Sequence, residues 1–440
     1  HDRTPWIEPT RWQCHSGSHG IWKRVRTHAQ GEAGMNKMID LAIIGGGIAG
    51  VSAAITAAQR GLKVKIFDRG RILQIKDPQL YLNAVDPLRQ QNQKIQDSTE
   101  LFFRQTISYG EYRGFPDLVR KLCYTSPNTI QWLEELGVKI PSRVIRVPEG
   151  LGPRTHLLET KNLTEALLKR LEFLKIEVSE GTEVAEILAS KNAEWGIKDS
   201  DGQTENFRNV LLAAGQRSIG ELFEGAKHSG PPLLSSLLKI NAAFAGLSFI
   251  QYEPIDAFTR LFLSNPADYI LVDGSGKRFI REDADKRILY DRIAATAQPV
   301  TCIRFRKAPT TAESLVSYVS KKSSEFRKEL EETIKAFNTS VEAKQDYLED
   351  SRDPDSFTDK ISFEKAFCHP IFLKPSAYLG GIAVDNQMNI ITWNGETLKG
   401  LYACGGVLGG VHGRRAVKGN ELLASLVFGR FAGSCIPINS

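Results

Sequence analysis

Leu41-Ala42-Ile43-Ile44-Gly45-Gly46-Gly47-Ile48-Ala49-Gly50-Val51-Ser52-Ala53-Ala54 is the stretch whose reading decides the fold. An apolar run without alternation reads as a strand buried on both faces of a parallel sheet. Glycines follow it, and then an alanine-rich helix. Gly45 permits the tight turn, Gly47 lets a pyrophosphate approach the backbone, and Gly50 lets the helix pack closely on the strand. Gly46, Ile48 and Ala49 complete the turn, and the free N–H groups of the helix's first turn attract phosphate, aided by the helix dipole. Leu62-Lys63-Val64-Lys65-Ile66-Phe67 reads as the second strand, and Asp68 ends it. That acid lies about twenty residues beyond the glycines, where a ribose-binding carboxylate belongs. The alternative, a glycine-rich turn without a ligand, explains neither the acid nor its distance. The pattern specifies a dinucleotide site.

A second strand runs into glycines near the other end, at Gly400-Leu401-Tyr402-Ala403-Cys404-Gly405-Gly406-Val407, followed by Leu408-Gly409-Gly410-Val411-His412-Gly413. Gly419-Asn420-Glu421-Leu422-Leu423-Ala424 then opens a terminal helix. With these segments the chain resembles the fumarate reductase/succinate dehydrogenase flavoproteins and their relatives among the ketosteroid dehydrogenases. The resemblance implies FAD as the cofactor, and an α/β fold: a Rossmann-like FAD-binding domain with an inserted α+β cap for the substrate. It also implies cofactor contacts at Arg69, Val184, Ala214, Gly215, Gly381, Gly405, Gly406, Gly419, Asn420, Leu422 and Leu423. No histidine stands where succinate-oxidising members attach FAD covalently, so non-covalent flavin is expected.

The chain has 440 residues, enough for two domains, and a formal net charge of +6 spread along its length. No Lys/Arg block interleaved with aromatics marks a nucleic-acid face, and no apolar run is long enough to span a membrane. Cys14, Cys123, Cys302, Cys368, Cys404 and Cys435 are scattered without C-x-x-C spacing. That pattern argues against zinc, iron–sulfur or disulfide frameworks and for a reducing, cytoplasmic setting. No metal is expected. Residues 1–34 mix Trp6, Trp12 and Trp22 with His15, His19 and His28 without periodicity. They read as a disordered leader, with a His/Cys metal tail as the alternative, and Met35 or Met38 is a natural start.

The expected organisation is a flavin domain over 35–250, a cap over 251–376, and a return to the flavin domain over 377–440. Asp97–Phe103 reads as an N-capped helix, and Pro116–Arg120 opens another. Ser126–Leu136 forms a third, ended by Gly137. Gly181–Ile187 and Asn209–Gly215 read as strands of the flavin sheet. In the cap, Gly274-Ser275-Gly276 joins Ile270–Asp273 to Lys277–Ile280 as a hairpin, and Phe326–Asn338 is a charged helix.

In the fumarate-reducing members, histidines and arginines clamp a dicarboxylate, and one arginine delivers a proton. Anionic carboxylates call for forked cations. Here the resemblance breaks. Glu253 stands at the first clamp histidine, in Glu253-Pro254-Ile255, and Ala377 at the second, with Tyr378 beside it. Ala416 holds the clamp arginine's place, with Arg415 one position early. Lys286 matches the proton donor, and Arg287 follows it. Gly406 replaces a family glutamate, and the ketosteroid dehydrogenases' tyrosine is absent. The catalytic candidates are therefore Arg287, Lys286, Arg415, Glu253 and Tyr378. The implied function is hydride transfer between flavin N5 and a carbon–carbon single or double bond of a small organic substrate, with fumarate and succinate disfavoured. A donor or acceptor protein for electrons is a possible partner. The alternative is a flavin-binding protein without turnover, a pseudoenzyme or electron-transfer subunit. An RNA-modifying flavoprotein would need a basic groove that the sequence lacks.

Overall fold

The computed structural model describes residues 39–146, 151–189, 194–224, 233–256, 263, 265–284, 286–296, 298–306, 313–348 and 359–438. The expected leader lies outside these residues. Strand β1, Leu41–Ile44, is buried along its whole length, as its unbroken apolar run requires. It pairs in parallel with β2, Val64–Asp68, on one side and with the strand Asn209–Leu212 on the other. Thr397–Ala403 lies beyond Asn209–Leu212, again parallel, and Glu177–Glu180 extends the far side of β2. Asn389–Ile391 closes the six-stranded sheet as an antiparallel edge.

Helix α1, Ile48–Gln59, covers β1 and is itself covered by the terminal helix Asn420–Cys435. Small residues make that approach possible. A Cβ added at Gly429 would stand 2.3 Å from the Ala49 carbonyl oxygen, and one at Gly433 would stand 2.4 Å from that of Ala53. The two glycines are four apart, one helical turn, so one stripe of the terminal helix lies flush on α1.

Three expected helices form, the first with a side-chain cap and the others from proline and glycine signals. Ser98 accepts from the Leu101 N–H at 3.1 Å and starts Thr99–Tyr109. Pro116 opens Pro116–Tyr124. Gly137, at φ +85°, follows the helix Ser126–Glu135.

Val184–Ala189 leaves the flavin sheet, contrary to expectation. It belongs to a separate antiparallel meander with Trp195–Asp199 and Thr204–Phe207. The turn at Gly181 causes this. Gly181 takes φ +74°, and the N–H groups of Gly181 and Thr182 bond to Gly70 and Asp68 carbonyls. The chain is thereby pinned beside the end of β2 and redirected outward.

A second sheet is built between Ile250 and Tyr378. Its strands run Ile250–Asp256, Phe367–Tyr378, Thr301–Arg304, Tyr269–Val272. Both faces are covered, as strand alternation dictates. Ile270 and Val272 meet Phe326, Leu330 and Ile334 of the helix Ser324–Ala343, whereas Tyr269 and Leu271 meet Leu289 and Ile293 of the helix Lys286–Ala295. The expected hairpin turn forms at 273–276, but its second arm is a single bridge, Val272 to Arg278. Arg278 instead turns inward, where Glu282 and Asp346 bind it at 2.8 and 2.7 Å. A buried guanidinium needs such partners.

No helix among the described residues is long and apolar enough to cross a membrane.

Gly429→Ala tests the helix contact. Alanine is the better helix former by about 1 kcal/mol, but its methyl group would overlap the Ala49 carbonyl. The variant should lose roughly 1–3 kcal/mol of stability, read as a lower denaturant midpoint at unchanged slope. A neutral or stabilising change would show that the helices separate without cost.

Candidate functional site

β1, Asn209–Leu212 and Thr397–Ala403 are adjacent, and their carboxyl ends open into three glycine-bearing turns. Such an edge is where open α/β sheets bind ligands. The Ala213 N–H bonds to the Ile44 carbonyl at 2.8 Å, and the Cys404 N–H to that of Leu212 at 2.9 Å. The turns therefore begin at one level. Gly45, at φ +109°, presses so close to Ala213 that a Cβ would stand 2.4 Å from its oxygen, and a Cβ at Gly50 would stand 1.9 Å from the oxygen of Gly45. Gly47 is the exception. It is exposed, and a Cβ there meets nothing within 4 Å.

Those two environments separate a structural glycine from a ligand-facing one. The first α1 bond runs from the Val51 N–H to the Gly47 oxygen, which leaves Ile48, Ala49 and Gly50 N–H groups outside the helix ladder. Gly405 backs onto Ala49, where a Cβ would meet the methyl at 2.4 Å, and Gly406 adjoins Gln216 at the start of the helix Gly215–Glu224. Ala214 and Gly215 thus share a floor with the first turn. Gly381 lies against the Val407 oxygen on the same loop.

Asp68 ends β2 as expected. Its carboxylate accepts from the Gly46 and Gly70 N–H groups, each at 2.7 Å, and each oxygen retains further acceptor capacity. Arg69 pairs with Glu221 at 2.9 Å. Val184 follows the residues pinned to β2.

Asn420 is fully buried, and a network that sequence reasoning missed holds it. Asn83 donates to the Asn420 Oδ1 and the Lys418 carbonyl, both at 2.8 Å, and accepts from Thr155 Oγ1 at 2.6 Å. The network fixes the N-terminus of the terminal helix, whose N-cap is Gly419. Leu422 and Leu423 bury their side chains in the main core, so backbone is what this turn offers a ligand. The only hint in the sequence is a polar Asn83 within an apolar alternation.

The catalytic candidates divide. Glu253 is half-buried and lies opposite Lys374, while Ala377 lies opposite Gln251. Glu253 and Ala377 therefore sit near one another on adjacent antiparallel strands. Tyr378 ends one of those strands, and its ring stacks on Phe223 at 6.2 Å and 8° over Gly220. Arg415 bonds to Glu111 at 3.0 Å and sits over the Tyr109 ring. Lys286 and Arg287 open a helix, but their side chains lie outside the described ones.

His369 has a partner that the sequence did not reveal, Asp256, at 2.8 Å. His156 is buried 4.0 Å from Asp86. The His412 Nδ1 is buried without a hydrogen-bond partner. No His/Cys/Asp/Glu group among the described residues is suited to a metal ion.

A parallel sheet with an open glycine turn at its carboxyl edge, a capped helix and a returning C-terminal loop defines a dinucleotide-binding flavoprotein. The chain belongs to the FAD binding domain family, whose pattern matches residues 40–422. It takes FAD, and the open position at Gly47 with the free amides of α1 fits that cofactor's pyrophosphate. The chain is 24% identical over 459 residues to the NADH:fumarate oxidoreductase of Klebsiella pneumoniae (strain 342), covering 93% of this chain and 49% of the relative. It thus spans about half of that protein. It is also 24% identical over 451 residues to the fumarate reductase of Schizosaccharomyces pombe (strain 972 / ATCC 24843), covering 89% and 88%. The fold matches a 3-ketosteroid-Δ4-(5α)-dehydrogenase from Rhodococcus jostii RHA1 in complex with 4-androstene-3,17-dione, at TM-score 0.69 and 18% identity, covering 92% and 98%.

Gly47→Val should leave the fold intact, because the space around that position is empty of protein, and should abolish FAD retention. Flavin content and circular dichroism of the purified variant read the two effects separately. Stoichiometric FAD in it would make the turn purely structural.

Burial lowers the imidazoles of His156 and His412 to about 4. The unfolded chain protonates them near the ordinary value of about 6.5, so between these values it binds more protons than the folded one. Stability should therefore fall as pH drops from about 6.5 to about 4, by on the order of 1 kcal/mol per pH unit for each imidazole. Denaturant titrations of His156→Asn and His412→Asn should each show a shallower slope. Unchanged slopes would contradict the buried, neutral state.

Proposed function

We propose that this chain is an FAD-dependent oxidoreductase acting on a carbon–carbon single or double bond of a small organic substrate that carries at most one carboxylate. The reductase names of its relatives and the open glycine cradle support the reaction class. The observation that carries the substrate class is the exchange at the clamp: Glu253 and Ala377 stand close together where the resemblance places two carboxylate-binding histidines.

Bound FAD supplies hydride chemistry at N5, and it is held non-covalently. Asp68 holds the ribose, and the Gly45–Gly50 turn holds the pyrophosphate. The turns at Ala214–Gly215, Gly381, Gly405–Gly406 and Gly419–Leu423, with Arg69 and Val184, complete the cradle. The chain's own residues do the rest. Arg287 holds the proton for the carbon that does not exchange hydride, with Lys286 as the competing donor. Arg415 orients the substrate's carbonyl or single carboxylate. Glu253 repels a second carboxylate: at about 4 Å and an effective dielectric near 20, two like charges cost about 4 kcal/mol. Tyr378, backed by Phe223, bounds the apolar side. The segment 251–376 serves as the cap that excludes water, and an electron donor or acceptor protein completes the cycle.

The test is reoxidation of the photoreduced, FAD-loaded protein under anaerobic conditions. A neutral enone or monoanionic enoate should reoxidise it rapidly and fumarate should not. Arg287→Ala should lower turnover about a hundredfold or more, as for a general acid, with FAD content unchanged. Brisk fumarate reduction by the wild type would overturn the substrate class, and reoxidation by oxygen alone would overturn the activity.

A further inference from the structure

Arg415 lies on the loop between the Gly405–Gly406 turn and the Gly419 cap, and it does not stand alone. Glu111 receives Arg415 Nη2 on Oε1 at 3.0 Å and Arg414 Nη1 on Oε2 at 3.4 Å. Both carboxylate oxygens thus engage arginine. Arg415 is largely enclosed, with its side chain 14% exposed, whereas Arg414 is 59% exposed.

The backbone around Glu111 is held in place. Glu111 and Tyr112 both take left-handed conformations, at φ +57° and +56°. Consecutive non-glycine residues there cost roughly 1–2 kcal/mol each and persist only where surroundings impose them. The imposing contacts are close. The Phe115 N–H bonds to the Gly410 oxygen at 2.7 Å, and the Arg414 N–H to that of Gly110 at 3.2 Å. Gly110 and Gly413 pack so tightly that a Cβ on either would come within 2.4 Å of the facing loop's carbonyl oxygen. The two loops are one unit, and it aims the Glu111 carboxylate at the arginines.

We propose that Glu111 is a built-in counter-ion that occupies the anion-binding fork of Arg415 and so excludes dicarboxylates from the site. A guanidinium already paired offers a substrate carboxylate only its remaining donors, and Glu111 adds a like charge beside any second carboxylate. Glu111 acts through Arg415 and is a positioning residue. This inference rests on the reading above that Arg415 faces the substrate.

Malonate, a dicarboxylate with no bond to reduce or desaturate, is a suitable probe. Calorimetric titration of the FAD-loaded wild type should show no binding at millimolar concentration. Glu111→Gln should bind malonate at least tenfold more tightly. Glu111→Asn, which tolerates the left-handed backbone, should do the same, so that strain cannot account for the result. Adding Arg415→Ala to Glu111→Gln should abolish the gain. Folded, FAD-loaded Gln and Asn variants that bind no better than the wild type would overturn the proposal. So would a wild type that binds as tightly as they do. The flavin spectrum separates this inference from the reading on which it rests: heat of binding without a change in flavin absorbance would uphold the counter-ion and displace Arg415 from the substrate site.

Discussion

The contact between Gly50 and the Gly45 carbonyl is the constraint on which the rest depends. A Cβ at position 50 would lie 1.9 Å from that oxygen, so the first turn of α1 sits against the turn that precedes it. The amides of Ile48 and Ala49, which precede the first helical bond, belong to that turn. The terminal helix repeats the device from the other side, with Gly429 and Gly433 against the carbonyls of Ala49 and Ala53. Glycine and alanine surfaces bury little apolar area, at about 0.8 kcal/mol per buried CH₂. These contacts set position, while large residues such as Ile43, Ile66, Leu423 and Phe428 in the same core supply the burial energy.

Closeness on both faces of α1 joins parts of the chain that are remote in sequence. The terminal helix begins at the cofactor edge because its glycine stripe fits α1, and its N-terminus is held by Asn83 and Thr155. Three buried side chains, from the segments around 83, 155 and 420, satisfy one another there. Removing any one strands the others, and an unpaired buried polar group costs about 1–3 kcal/mol. The turn at Gly419–Asn420 is thus as constrained as the one at Gly45–Gly50, although it lacks a compact fingerprint.

How much was legible follows from the range of each signal. β1, α1 and β2 could be read because their cues are local: apolar runs, glycines at fixed spacing, an acid at the end of a strand. The helices beginning at Thr99, Pro116 and Ser126 were readable for the same reason. The partners of β-strands are not local. Val184–Ala189 carries strand-like residues, and nothing within it tells that it pairs with Trp195–Asp199 rather than with β2; the turn at Gly181 decides. Lys277–Ile280 looked like the arm of a hairpin because it follows the Gly274-Ser275-Gly276 turn, but Arg278 is drawn inward by Asp346, far along the chain. Asn83, Glu111 and the His369–Asp256 pair escaped for the same reason, each being defined by a partner far away in sequence.

The charge pattern at the proposed site follows from this division between local and distant signals. The flavin-binding frame tolerates few changes, because its glycines meet backbone atoms that cannot move. The strands carrying Glu253 and Ala377 also pair through backbone, and the loop carrying Arg415 is tied to the loop at 110–115 by main-chain bonds, so the charge pattern there is set by which side chains those frames present. A dicarboxylate clamp needs two cationic regions with no anion between them. Here Glu253 lies opposite Lys374, and Glu111 receives Arg414 and Arg415. Each cationic position thus has a carboxylate alongside it. On the proposed reading of this site, a second substrate carboxylate would displace one internal anion and then face the other. Burial would make that more expensive, because like-charge repulsion grows as the dielectric falls. The frame that holds FAD therefore rests on close backbone contacts, whereas the charges around Glu253 and Arg415 are set by partners drawn from distant parts of the chain.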